Sequence, residues 1–136
     1  MSRRVDERGA IAVWAAVSLI GFIVAVGLGV DLAGHAGRAA EARAIAAQAA
    51  RAGGQQVRID SGRMILDPVA ARRAATAYAS ATGLTASAEL TSGTTIRVEV
   101  EGRYETSFLG IIGIEDLPVS ARAEADLRSV VEGQQR

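Results

Sequence analysis

The residues of this chain that could do chemistry are few and scattered. His35 is the sole histidine, there is no cysteine, and every basic residue is an arginine. A histidine dyad, a His-rich metal centre, a thiolate zinc site and a disulfide framework are thereby excluded. Glu115 and Asp116 are adjacent, and paired carboxylates can serve as general acid and base or as calcium ligands. No ligand-spaced loop surrounds them, so a turn before Leu117-Pro118 is the simpler reading. His35 follows a long apolar stretch and stands among small residues, as an interfacial histidine would. Gly27, Gly29 and Gly34 lie in helical apolar sequence rather than after a strand, so they make no phosphate loop, and no nucleophile elbow or zinc spacing occurs. The chain reads as a non-enzyme without cofactor, metal or small-molecule substrate. Its 15 basic and 15 acidic residues cancel, which argues against a nucleic-acid binder driven by a basic field.

The elements around these residues are more informative. Of 136 residues 49% are hydrophobic but only 4% aromatic, because 28 are alanine. Charge is absent from the 21 residues Ala10 to Val30. At ~1.5 Å per residue a helix of that length spans about 32 Å, enough for a hydrocarbon core of about 30 Å. Trp14 sits near its N-terminal end, where an interfacial indole belongs. A buried helix of a soluble protein is a poor alternative, since so short a chain can hardly cover a helix apolar on all sides. A cleaved secretory signal is a second alternative, with small residues for cleavage at Ala33-Gly34-His35-Ala36, but the apolar run exceeds the usual length of about 7–15 residues. Arginines near the run tie in number: Arg3, Arg4 and Arg8 before it, Arg38, Arg43 and Arg51 after it. Arg8 lies closest to the run, which favours an N-terminus inside the cell. Gly21, Ala25, Gly29, Ala33 and Gly37 recur every fourth residue. Two readings are open: a face that lets two membrane helices approach closely, or a spacing that so alanine- and glycine-rich a composition produces by chance.

The segment Ala36 to Ala52 is rich in alanine, the best helix former, and Gly53-Gly54 supplies a stop, so one helix is expected over about 10–52. Gln56–Ile59 and Arg63–Leu66 flank Asp60-Ser61-Gly62 as a short hairpin. Asp67-Pro68 opens a second helix to about Thr82, closed by Gly83. Ala70, Ala74, Ala77, Tyr78 and Ala81 are expected on its apolar stripe, with Arg72 and Arg73 on a solvated face. Period-two alternation follows. Leu84, Ala86, Ala88 and Leu90 share one side, Ile96, Val98 and Val100 another such row, and Val119, Ala121, Ala123, Ala125 and Leu127 a third. They predict an antiparallel sheet with one apolar face, covered by the two helices. Phe108-Leu109-Gly110-Ile111-Ile112-Gly113-Ile114 is apolar and broken by glycine. Two roles are open to it: a plug for the end of the core, or an exposed patch for a partner or the membrane surface, centred on Phe108, Leu109, Ile111 and Ile112.

Several stretches together resemble the TadE/TadG-like minor pilins of Tad (tight adherence, Flp pilus) systems, in their actinobacterial form. They are Arg8-Gly9-Ala10-Ile11-Ala12-Val13, Gly29-Val30-Asp31-Leu32-Ala33, the alanine-rich Ala39 to Gly53, Ile65-Leu66-Asp67-Pro68 and Thr106-Ser107-Phe108-Leu109-Gly110. The resemblance implies a single-pass pseudopilin whose partners are membrane lipid and other pilin or pilus-assembly proteins. It also implies processing by a prepilin peptidase between Gly9 and Ala10. The family carries glutamate at the fifth mature position, where this chain has Trp14, so cleavage and retention of an uncleaved anchor both stay open. The expected fold is α+β and pilin-like: a transmembrane helix extends into a long spine, packed with a second helix on a small antiparallel sheet. The expected divisions are a cytoplasmic tail 1–9, a transmembrane helix 10–33, a helical extension 34–54, an extracytoplasmic domain 55–129 and a flexible tail 130–136. A secreted or anchored extracytoplasmic binding module, unrelated to pili, is the rival reading.

Overall fold

The computed structural model describes residues 4–127, so the polar tail 130–136 lies outside the described residues. The arrangement is α+β, as expected. Its first helix, α1 (Arg4–Gly54), starts earlier than the apolar run and continues past Gly34 and Gly37 without a break. The chain forms two compact units. One comprises the described chain through Gly34 together with Glu105–Leu117. The other comprises His35–Tyr104 and the described chain from Pro118 onward.

The second unit holds the core. After α1 come β1 (Val57–Asp60), β2 (Arg63–Leu66), α2 (Pro68–Ser80), β3 (Thr85–Leu90), β4 (Thr95–Glu105) and β5 (Asp116–Asp126). β1 and β2 pair as a hairpin from Val57↔Leu66 to Asp60↔Arg63. Its two-residue turn places Ser61 and Gly62 at φ 50° and 78°, the doubly positive geometry that matches strand twist. β3, β4 and β5 form a three-stranded sheet in that order. β3 and β4 run antiparallel from Thr85↔Glu101 to Leu90↔Ile96. Across β4 and β5, Arg97 Nε donates to Glu124 at 2.6 Å and Arg122 donates to Glu99 at 3.0 Å. Each strand gives one arginine and one glutamate, so a one-residue slip would break both pairs and turn the apolar row outward.

Ile96, Val98 and Val100 are fully buried on the inner face, with Leu84, Val119, Ala125 and Leu127 beside them. Ala42, Ala46, Ala49 and Ala50 of α1 pack there, as do Ala71, Ala75 and Ala79 of α2. Methyl-sized side chains allow helices and sheet to approach closely. At Gly53 even a methyl would not fit: a Cβ there would lie 2.7 Å from Ile96 Cδ1 and 2.9 Å from the Ala71 carbonyl oxygen.

The expected stripe of α2 needs correction. Its buried residues are Ala71, Ala75 and Ala79, whereas Ala77, Tyr78 and Ala81 are exposed. Alanines on several faces leave the helical phase undetermined, and Tyr78 is too large for so close a contact. The start of α2 is as expected. The Asp67 carboxylate accepts N–H bonds from Val69 and Ala70 at 3.0 and 2.9 Å, with Pro68 at the first helical position. The Ala70 N–H, against partial desolvation and with help from the Val69 N–H and the Arg58 charge, holds that carboxyl below the usual carboxylate range.

Candidate functional site

The first unit joins the apolar part of α1 to the loop that leaves β4 and returns as β5. In α1, Ile11, Trp14, Val17, Ile20, Phe22, Ile23, Val24, Leu28, Val30 and Leu32 are all exposed. The helix is long and apolar enough to cross a membrane, and only 6% of its most apolar stretch is buried. A core helix of a soluble protein would be mostly covered instead.

Two positions one turn apart are the exceptions: Gly27 and Asp31 are buried. Phe108 lies on Gly27, where a Cβ would stand 2.6 Å from Phe108 Cγ and 2.9 Å from its Cβ. Asp31 has 0% exposure. Its Oδ1 accepts the Ser107 N–H at 2.6 Å, and its Oδ2 accepts those of Phe108 and Leu109 at 2.9 and 2.7 Å. These consecutive N–H groups open a 3-10 helix, Leu109–Ile112, for which Phe108 provides no side-chain cap. The first N–H groups of a helix have no partner within it. A carboxylate from a different element supplies one here, with charge-assisted bonds.

The neck of the loop is tied separately. The Thr106 N–H donates to the Glu115 carbonyl at 2.9 Å, and the Thr106 hydroxyl faces the Ile114 and Glu115 carbonyls. Gly113 closes the 3-10 helix at φ 91°, a left-handed conformation costly for any residue with a Cβ. Ile111 and Ile112 project outward with exposures of 82% and 72%.

Phe108, Leu109, Ile111 and Ile112 are thus brought together on the apolar part of α1. The loop uses Phe108 and its backbone to attach to α1, leaving Ile111 and Ile112 outward. The four-residue stripe behaves differently. Gly21, Ala25, Gly29, Ala33 and Gly37 are exposed, and a Cβ on Gly21, Gly29 or Gly37 would meet nothing within 4 Å. The glycine of α1 that the loop covers, Gly27, is not on that stripe. Gly9 and Ala10 lie on α1 and are exposed.

His35 has a structural part. Its Nε2–H donates to the Pro118 carbonyl on β5 at 3.1 Å, and its ring meets Tyr104 edge-on with centroids 6.3 Å apart. Glu115 lends its carbonyl to Thr106, and Asp116 begins β5. Among the described residues, no group of three or more acids and histidines is placed to hold a metal ion.

Sequence reasoning missed the part played by Asp31 and Gly27. One signal was present: an acid at the end of an apolar run, one turn after a glycine. Its partners lie 76 to 78 positions away in sequence, beyond any local pattern. The three hydrogen bonds join the stretch around Asp31 to Ser107, Phe108 and Leu109. No family model, curated protein or solved structure matches the chain.

Proposed function

We propose that this protein is a membrane-anchored structural component, a minor pilin or pseudopilin of a Tad/Flp-type pilus or related secretion apparatus. The observation that supports this most is the exposed apolar surface of α1, bulky on nearly every side from Ile11 to Leu32. In water that surface would drive aggregation; in a bilayer it is matched to its solvent. On this reading the N-terminus faces the cytoplasm and the α+β unit lies outside it. The Gly21–Gly37 stripe is then free for close packing against neighbouring pilin or platform helices.

Alkaline carbonate extraction of cell membranes, with mass spectrometry of the mature N-terminus, tests the proposal. Retention in the membrane with an N-terminus at Ala10 supports pilin-type processing, and an intact N-terminus supports a permanent anchor. A soluble product beginning near Gly37 overturns the anchor and leaves a released binding module. Protease treatment of spheroplasts checks orientation: loss of the α+β unit is expected, and digestion of the first nine residues alone would reverse the topology.

A further inference from the structure

We infer that the loop 106–114 is a second membrane-contacting element, seated in the outer acyl-headgroup boundary beside α1 and held at that depth by Asp31. The inference rests on α1 being a membrane anchor. Within the first unit, Phe108, Leu109, Ile111 and Ile112 line one apolar hollow with Ile23, Val24 and Leu28. The uncharged run ends at Val30. At ~1.5 Å per residue, Gly27 lies about 4.5 Å and Ile23 about 10.5 Å below that point along the helix. Apolar faces that rest on membranes sink by about 5–10 Å, the same depth.

The chemistry of the loop suits that place. Residues 106–114 carry no charge, while Glu105 before them and Glu115-Asp116 after them do. The acids therefore stand where the headgroups would be. Irregular backbone enters the apolar zone only when its polar groups find partners. Here the Thr106 N–H is bonded to Glu115, those of Ser107, Phe108 and Leu109 to Asp31, and those of Ile111, Gly113 and Ile114 to Phe108, Gly110 and Leu109. An acid near the membrane is costly unless paired, and Asp31 meets that cost with three N–H bonds. Ile111 and Ile112 are the most exposed apolar side chains of the loop, and an apolar phase suits them better than water.

The absence of native cysteine makes the test clean. The full chain carrying Ile112→Cys is labelled with an environment-sensitive fluorophore and reconstituted into phosphatidylcholine–phosphatidylglycerol vesicles. Some lipids carry a nitroxide near the head of the acyl chain. Ser87→Cys, on the outward side of β3, is the water-facing control, and Trp14 reports insertion of α1. Quenching at position 112 several-fold above that at position 87 is expected. Quenching of Trp14 without quenching at 112 overturns the inference and leaves the anchor standing. A label at 112 that is shielded from water but not quenched by lipid, and released on diluting the protein, means a second copy covers the loop and also overturns it. If neither site is quenched, anchor and inference fall together. Asp31→Ala should lower quenching at 112 to the level of the control while Trp14 is unchanged. Undiminished quenching at 112 in that variant would remove Asp31 as the residue that sets the depth.

Discussion

Residues 10–33 and 35–54 belong to one helix, yet their surfaces follow opposite rules. In the first stretch the bulky side chains Ile11, Val17, Ile20, Phe22 and Ile23 are exposed, and the buried positions are Gly27 and Asp31. In the second, Ala42, Ala46, Ala49 and Ala50 are buried with little besides Ile45 for bulk. A helix in water hides its largest apolar groups and shows its polar ones. The second stretch obeys that rule with the smallest apolar side chain available, because backbone proximity to the sheet matters more there than area. The first inverts it, as a helix solvated by lipid or by other membrane helices does. The same backbone can serve both because its side chains, not its hydrogen bonds, meet the surroundings.

The largest effect that could break this comparison comes from paired truncations. Ile96→Ala removes a fully buried side chain beneath both helices, at a cost of about 2–5 kcal/mol. Ile20→Ala removes an exposed one and should change stability by no more than about 0.5 kcal/mol. Denaturant unfolding in detergent micelles, followed by loss of the sheet signal, measures both. Equal costs would mean that the apolar stretch of α1 is covered after all.

Enlargement gives the next effect. Ala46→Leu forces three extra carbons into a closed alanine contact, at a cost of about 1–3 kcal/mol. Ala25 is exposed, so Ala25→Leu should leave monomer stability within about 0.5 kcal/mol. In membranes the order reverses, because Ala25→Leu or Gly29→Leu should weaken association through the four-residue stripe, read by crosslinking of full-length protein. Unchanged crosslinking in both variants would remove the stripe as an assembly surface.

Gly27→Ala acts on one side chain. Its new Cβ would stand 2.6 Å from Phe108 Cγ, so Phe108 must leave its seat. Faster proteolysis within 106–114 is expected, with the unfolding of the α+β unit unchanged. Protection equal to wild type would show that Phe108 has another resting place.

Two capped helices show how much of this was legible. Asp67 and the N–H groups it caps lie within three residues, beside a proline, and the Asp-Pro pair foretold the start of α2. The alternation of Leu84 to Leu90, Ile96 to Val100 and Val119 to Leu127 was equally readable, because period two places every second side chain on one face. Asp31 performs the same chemistry for the 3-10 helix at Leu109, but across a separation that only the folded chain closes. The phase of α2 was hidden for a different reason: Ala70, Ala71, Ala74, Ala75, Ala77 and Ala79 satisfy more than one stripe. The ends of β4 and β5 reach Glu105 and Asp116 because Thr106 ties them together, a bond no periodicity encodes.

The smallest expected effect concerns Asp67 and completes the contrast between caps. The Asp67 carboxyl is held below the ordinary carboxylate range, so the folded chain gives up this proton more readily than the unfolded chain does. The stabilisation is therefore fully present above the unfolded value of about 3.9 and is lost as pH falls through the lower folded value. Asp67→Asn keeps an oxygen acceptor without the charge, so its stability should approach that of wild type on the acid side. The difference between the two should be largest above about pH 5, where the wild-type carboxylate is charged in both states. Melting curves across that interval measure the gap. A gap independent of pH would mean that geometry alone makes the Asp67 cap, and that its charge adds nothing to the start of α2.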